Sequence, residues 1–514
     1  MSAAGAGAFG AALDGGFEGF VRRAAPGGLV PVWREILLDS ATPVAAYAAL
    51  REGPFSFLLE SAPAGSETWS RWTYLGAAPR KAWRLARGAV SEWHPTTGWG
   101  AESTPTDPLA ALDAWIGADP PVEVPELGDV WGGAIGYLGY DVVRYIERLP
   151  DRGKPALEVP DALFVLPSVV IALDNLRGGA RCIATVRVPA GANTAALRPL
   201  YDDAVARLDA AVARLRAPAP LLPLDVDPTA APATGESSLD RATFEAHVAR
   251  MLEYIRAGDV FQVLLSRRVT VPRDFDALTL YRVLRGLNPS PYQYCLELDG
   301  VSLVGSSPEL LVRVADGRVT VRPIAGTRPR GTTPAQDAAR AAEVAADPKE
   351  RAEHVMLVDL GRNDVGRIAE YGTVEVPQMM QVERYSHVLH LVSEVTGMLR
   401  PDVTAFDAFR AVFPAGTMTG APKIRAMEII DELEPTARGP YAGAVGWIGG
   451  SRRRMDLAIT IRTCVLHGDT ASISTGAGIV ADSVPAHEWA ETENKARAIL
   501  TAIGRARSAT PAGG

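Results

Sequence analysis

The chain has 514 residues, 47% of them apolar and 22% charged, and a net charge of −8 from 52 basic and 60 acidic side chains. This is ordinary globular composition, which excludes a mainly disordered, collagen-like or coiled-coil chain. The acidic balance also argues against a nucleic-acid binder, since the only basic run is Arg452, Arg453 and Arg454. The longest uncharged apolar run, 162–173, contains Pro167 and falls short of the roughly 20 residues a membrane span needs. Residues 1–20 are Gly/Ala-rich and lack a basic segment followed by an apolar core, so no secretory signal is expected. Cys182, Cys295 and Cys464 are too few and too scattered for a disulfide framework. A reducing cytoplasm is the expected compartment.

Along the chain, 1–25 is expected to be a flexible tail and 26–216 an N-terminal region. Short apolar runs bounded by turn residues predict strands over 55–60 and 72–75. Gly- and aromatic-rich 132–140 suits close strand packing, and 162–174 with 181–188 reads as a strand pair. A helix is expected over 201–216, where Ala204, Leu208, Val212 and Leu215 form one stripe. The Pro/Ala-rich stretch 217–238 reads as a linker, 239–506 as a second region and 507–514 as a tail. In the second region Phe244, Val248, Met251 and Ile255 predict a helix that stops at Gly258. Strands are expected over 260–266, 301–304, 310–314, 319–324, 457–465 and 471–475. Helices are expected over 336–346, 349–357, 406–413, 421–433 and 485–503. The mixture, with many short turns, indicates an α+β fold.

Several constellations could carry chemistry. Glu350 with Glu353 and Glu488 with Glu491 are i,i+3 pairs on predicted helices, each pair on one helix face. Four converging carboxylates would suit a hard divalent cation; the alternative is two solvated helix faces. The segment GAGIVA at 476–481 follows a strand, but Pro485 leaves no room for the helix a dinucleotide site requires. Its glycines instead free backbone N–H groups to face a carboxylate, or form a tight turn. The loop GTMTGAPK at 416–423 lacks the Gly-Lys-Ser/Thr of a P-loop, yet it opens a helix whose N-terminus suits an anion. Within 455–463, Thr460 and Arg462 share one strand face, and an inward arginine needs an anionic partner, either a ligand or a structural carboxylate. His387 and His390 are close together without a readable Ser/His/Asp order, and no cysteine has a nucleophile-like flank.

Together the motifs resemble the chorismate-utilising enzyme family. They are PIAGTRPRG at 323–331, ERAEH at 350–354, DLGRNDVGR at 359–367, VERYSHVLH at 382–390, FPAGTMTGAPK at 413–423 and GAGIVADS at 476–483. The resemblance spans nearly everything after residue 28. It implies an α+β sandwich of two interleaved halves around a deep cleft. By the same resemblance, Glu353 and Glu491 would bind Mg²⁺, with Glu350 and Glu488 acting through water, and the ion would hold the ring carboxylate of chorismate. Arg462, Tyr441 and the backbone of Gly476, Ala477 and Gly478 would take the pyruvyl carboxylate. Gly326, Thr327, Thr417 and Lys423 would share the pocket. Glu309 would be the general acid for the departing ring hydroxyl, and His390 would lie near the departing enolpyruvyl group.

Two positions bear on the branch of the family. Water-adding members carry lysine where this chain has Gln262, and glutamine cannot deprotonate water. Ala325 stands where 4-amino-forming members usually carry a nucleophilic lysine. The implied reaction is therefore addition of ammonia at C2 of chorismate and loss of pyruvate to give anthranilate; C4 amination to aminodeoxychorismate is the alternative. The N-terminal half resembles a tryptophan feedback site at Leu59, Glu60, Ser61, Asn288, Pro289, Ser290, Pro291 and Tyr292, with Gln293 in place of the expected methionine. No glutaminase segment with a reactive cysteine is visible, so ammonia is expected from a separate glutamine amidotransferase subunit, in a heterotetramer.

Overall fold

The computed structural model describes residues 15–61, 71–128, 130–150, 152–217, 221–385 and 388–511. His387, the Thr327 side chain and parts of the expected tails and linker lie outside what is described. The strands form one antiparallel network with two arms that share a root, the pair Trp72–Ala86 and Ala162–Asp174. The first arm runs outward through Ser56–Glu60, Tyr292–Leu298, Val301–Ser307, Thr463–His467, Thr470–Ile479 and Gln262–Pro272. The second runs through Ala134–Leu138, Ala444–Ile448, Met455–Ile459, Leu310–Ala315, Arg318–Val321 and Val388–Met398. Ile324–Pro329 and Glu375–Arg384 complete its far edge. Each arm therefore begins with one strand from before residue 238 and continues with strands from after it, so the two parts of the chain share one sheet network.

Helices cover the arms for reasons visible in the chain. Arg241–Ala257 buries Phe244, Val248 and Met251, three residues on one stripe, and Asp240 accepts the Thr243 amide at its start. It ends at Gly258, whose φ of 84° closes the helix as a left-handed cap. Phe244 meets Trp489 edge-on at 5.5 Å, joining this helix to Pro485–Ser508. Each such fully buried side chain contributes about 1.5–3 kcal/mol of transfer free energy.

Some expectations change. The strand expected over 72–75 runs on to Ala86, bulged near Pro79 but still paired with Ala162–Asp174. Gly16–Ala24, placed in a tail by composition, is a helix anchored by Phe20, which is fully buried against Tyr201. The last helix reaches Ser508, and Thr510–Pro511 pairs with Leu224–Asp225 of the expected linker. The strand expected over 457–465 is two strands, Met455–Ile459 and Thr463–His467, because Arg462 adopts a φ of 48° that no strand accommodates.

Candidate active site between two chain crossings

The chain passes between the arms twice near one point. It leaves the first arm after Ser307 and enters the second at Leu310, which puts Glu309 in the crossing. It returns between Ile459 and Thr463, which puts Arg462 in the other. The crossings are laced together. The Ser306 amide donates to the Arg462 carbonyl (3.1 Å), the Ile459 amide to the Glu309 carbonyl (3.0 Å) and the Ser307 hydroxyl to the Ile459 carbonyl (2.7 Å). The break in the predicted strand is thus what brings Arg462 to Glu309.

Glu309 is buried and accepts one side-chain hydrogen bond, from the Thr417 hydroxyl at 2.8 Å. Burial pushes its carboxyl up to about 7, against smaller downward pulls from Thr417 and Arg462. It therefore holds a proton near neutral pH, as a general acid must. The Arg462 guanidinium has no carboxylate within ion-pair distance among the described residues, and burial lowers its proton affinity. His390 is buried, with Nδ1 3.2 Å from the Gly326 carbonyl oxygen and its ring edge-on to Tyr385 at 5.3 Å. Burial drops its pKa to about 4, so the imidazole is neutral at physiological pH. Gly326 has a φ of 60° and interrupts the register of its strand; a Cβ there would lie 3.1–3.3 Å from Val344, Glu350 and Leu391.

Gly476, Ala477 and Gly478 are not a turn. They lie within Thr470–Ile479, paired with Ser266, Leu265 and Leu264. Thr463–His467 pairs only with residues 470–473 of that strand, so the opposite edge of 474–479 has no strand neighbour among the described residues. A Cβ at Gly476 would fall 3.0 Å from the Tyr441 hydroxyl, and one at Gly478 would fall 2.7 Å from Gln262 Nε2. Tyr441 and Gln262 are therefore pressed against the strand by the absence of side chains. Gln262 also donates to Glu353 Oε1 at 3.4 Å, while its own Oε1 is buried without a partner among the described residues.

Lys423 has partners within the chain. Its ammonium is bound to Asp364 (2.9 Å) and the Val412 carbonyl (3.0 Å). The charge is thereby spent on fastening the Thr417 loop to the helix Pro348–Gly366. A cavity of about 50 Å³ lies beside it, lined by Glu309, Thr417, Arg322, Leu360 and Asp364 among others.

The four glutamates sit on the two predicted helices, Pro348–Gly366 and Pro485–Ser508. Glu353 is pushed up by burial and by the charges of Glu350 and Glu491; Glu488 is pushed up by burial, with Glu491 adding to it. Such mutual repulsion is what a bound cation relieves, and the all-oxygen donor set fits a hard divalent ion. Two basic side chains share the cluster: Lys495 pairs with Glu491 (2.7 Å) and Arg328 with Glu350 (3.0 Å). Among the described residues no three acidic or histidine side chains converge on one metal position, so the carboxylates gather without closing into a cage. Lys495 was not foreseen, although its position four residues after Glu491 places it on the same helix face. It also donates to the Gly476 carbonyl at 2.9 Å, tying the carboxylates to the glycine strand. Tyr385 was foreseen only as part of a motif.

Away from this cleft, Glu60 accepts from Tyr281 (2.5 Å) and from Arg285 through Nε and Nη2 (both 3.0 Å). Leu59 and Glu60 pair with Tyr294 and Gln293, and Gln293 donates to the Arg285 carbonyl at 3.3 Å. Asn288 caps the helix Ala277–Leu287; its Nδ2 is buried with no partner among the described residues, and Ser290 is buried beside it. Pro289, Pro291 and Ser61 are partly exposed. Tyr292 instead sends its hydroxyl to Asp456 at 3.1 Å, on the strand face opposite Gln293. The triple arginine is structural in part: Arg452 pairs with Asp113 and Arg454 with Asp316. Among the described residues no helix is long and apolar enough to cross a membrane.

Comparison with known proteins agrees with this geometry. The model of the chorismate binding enzyme family matches residues 67–501. Anthranilate synthase component 1 of Pseudomonas putida is 45% identical over 95% of this chain and 98% of its own length. Anthranilate synthase component I of Streptococcus pneumoniae superposes with a TM-score of 0.71 at 34% identity, covering 90% of this chain and 99% of its own. The menaquinone-specific isochorismate synthase of Escherichia coli shares the fold, with a TM-score of 0.67 at 19% identity over 95% of this chain and 99% of its own. The chain belongs to the chorismate binding enzyme family.

Proposed function

We propose that the chain is the large subunit of an anthranilate synthase, which aminates chorismate at C2 with ammonia and eliminates pyruvate. The observation that carries this reading is the pair of crossings. They set a proton-holding Glu309 beside an Arg462 guanidinium that has no ion-pair partner among the described residues. Arg462, Tyr441 and the open edge of 474–479 hold the pyruvyl carboxylate. Glu309 gives its proton to the departing C4 hydroxyl, and Thr417 fixes the carboxyl that does so. Neutral His390 lies by the departing enolpyruvyl group, and Gln262, unable to deprotonate water, leaves the addition to ammonia. Mg²⁺ would be held by Glu353 and Glu491, with Glu350 and Glu488 behind them, and when bound it neutralises the ring carboxylate. Near-full-length relatives named anthranilate synthase component 1 support the same reading.

Residues 26–216 carry regulation and 239–506 the chemistry. Tryptophan inhibits by binding near Glu60, Ser61 and the 288–292 loop. Ser306 links the two places: its hydroxyl donates to the Asn288 carbonyl, and its amide to the Arg462 carbonyl. A separate glutamine amidotransferase supplies ammonia in a cytoplasmic heterotetramer. The test is product analysis of the purified chain with chorismate, Mg²⁺ and excess ammonium near neutral pH. Fluorescent anthranilate with equimolar pyruvate is expected. Aminodeoxychorismate, or isochorismate, would refute the reading.

A further inference from the structure

A second cavity, of about 380 Å³, shares no lining residue with the crossings. Its walls are the second half of the helix Ala277–Leu287, the end of the helix Pro485–Ser508 and the segment 224–226. Leu224, Val226, Val283 and Leu287 supply apolar surface, and Arg282 and Arg505 supply charge. Neither arginine has a carboxylate within ion-pair distance among the described residues. Arg282 donates to the Leu222 carbonyl and Arg505 to the Pro228 carbonyl, each at 2.8 Å. Arg505 Nε is buried with no acceptor among the described residues. Burial alone lowers the proton affinity of Arg282, with no neighbouring anion to offset it. The setting contrasts with Arg285, one turn further along the same helix, which is paired with Glu60. Thr510–Pro511 pairs with Leu224–Asp225, next to the lining residue Leu224.

Two guanidiniums sharing a half-buried apolar cavity, neither of them in an ion pair among the described residues, make an anion site; the Asp227 carboxylate near Arg505 offsets part of its charge, and the volume lies in the range of small-molecule pockets. We propose that this groove binds a small organic anion, a carboxylate or phosphate carried on an apolar body, with Arg282 and Arg505 on the anionic group and Leu224, Val226, Val283 and Leu287 around the body. The site is separate from the chorismate cleft and does not depend on the reaction assigned to it.

The experiment titrates the full chain by calorimetry with phenyl phosphate, benzoate and inorganic phosphate. The wild type is expected to bind at least one of the two aromatic anions, and inorganic phosphate about tenfold or more weakly, since it lacks the body the apolar wall receives. Arg282→Gln and Arg505→Gln should each weaken the aromatic anion by about tenfold or more, with melting temperature and chorismate turnover unchanged. Arg462→Gln should leave groove binding intact. Three results would overturn the proposal: no aromatic binding up to about 10 mM, equal binding of inorganic phosphate, or binding lost in Arg462→Gln and kept in both groove variants.

Discussion

Glu309 and Glu434 are both buried carboxylates near the cleft, and they differ in what surrounds them. Glu434 accepts from the Ser266 amide and hydroxyl (both 2.8 Å) and from Arg438 through two nitrogens (2.6 and 2.9 Å). Arg438 in turn donates to the Met418 and Leu264 carbonyls. Four donors thus meet the Glu434 carboxylate, three on Oε1 and one on Oε2. Glu309 has a single hydroxyl donor. Equal burial with full satisfaction produces a structural ion pair; with one hydrogen bond it produces a carboxyl that keeps its proton to near neutral pH. Satisfaction, more than burial, separates the residue that holds the fold from the residue that transfers a proton.

The largest effect should come from breaking the satisfied member. Glu434→Ala leaves the Arg438 charge buried and unpaired, at a cost of about 3–5 kcal/mol, read as a lower urea midpoint. Glu309→Gln should do the reverse. It removes a proton donor with little change in shape, so turnover should fall by about 10²–10⁴-fold while the urea midpoint holds. A Glu309→Gln enzyme with near-normal turnover would remove Glu309 from the mechanism. A smaller effect is expected at Ser306, which touches both the Asn288 loop and the Arg462 backbone. Ser306→Ala should raise the tryptophan concentration for half-inhibition by about tenfold at unchanged tryptophan affinity. An unchanged inhibition curve would show that the coupling runs elsewhere.

How far the sequence discloses this difference varies by residue. Helix stripes such as Phe244, Val248 and Met251 are legible because a 3.6-residue period and a glycine stop are local facts. The carboxylate pairs at 350/353 and 488/491 are legible as two helix faces, and Glu309, Arg462 and His390 are named for one pocket by the family resemblance alone. Three features are not legible. The left-handed backbone at Arg462 defeats alternation, because nothing in Thr460-Ile-Arg-Thr463 marks a turn; the conformation is imposed by the hydrogen bonds from Ser306 and Ser307. Gly476 and Gly478 look like turn residues, yet they serve to let Tyr441 and Gln262 approach a flat strand, a tertiary requirement. Lys423 is placed in the pocket by the resemblance alone, and its internal partner, Asp364, is hidden by lying 59 residues away in sequence.

The finest test of the comparison adjusts Glu309 without removing it. Its ordinary value of 4.5 rises to about 7 in the fold, and the Thr417 hydrogen bond opposes that rise. Activity that needs the protonated acid is therefore full well below pH 7 as far as this group is concerned, and is lost as pH climbs through 7. The stability linked to this group has the same sign: it is complete below 4.5 and disappears as pH rises through 7, because the fold favours the neutral carboxyl. Thr417→Val deletes the one hydrogen bond that stabilises the anion. The descending limb of kcat against pH should then move to higher pH, while kcat at its plateau falls because the carboxyl is less firmly aimed. A limb that moves to lower pH, or stays in place in Thr417→Val and in wild type alike, would mean that a group other than Glu309 sets it. The satisfied partner supplies the control: Ser266→Ala removes a donor from Glu434 but should leave that limb where it was, since Glu434 takes no part in the proton transfer.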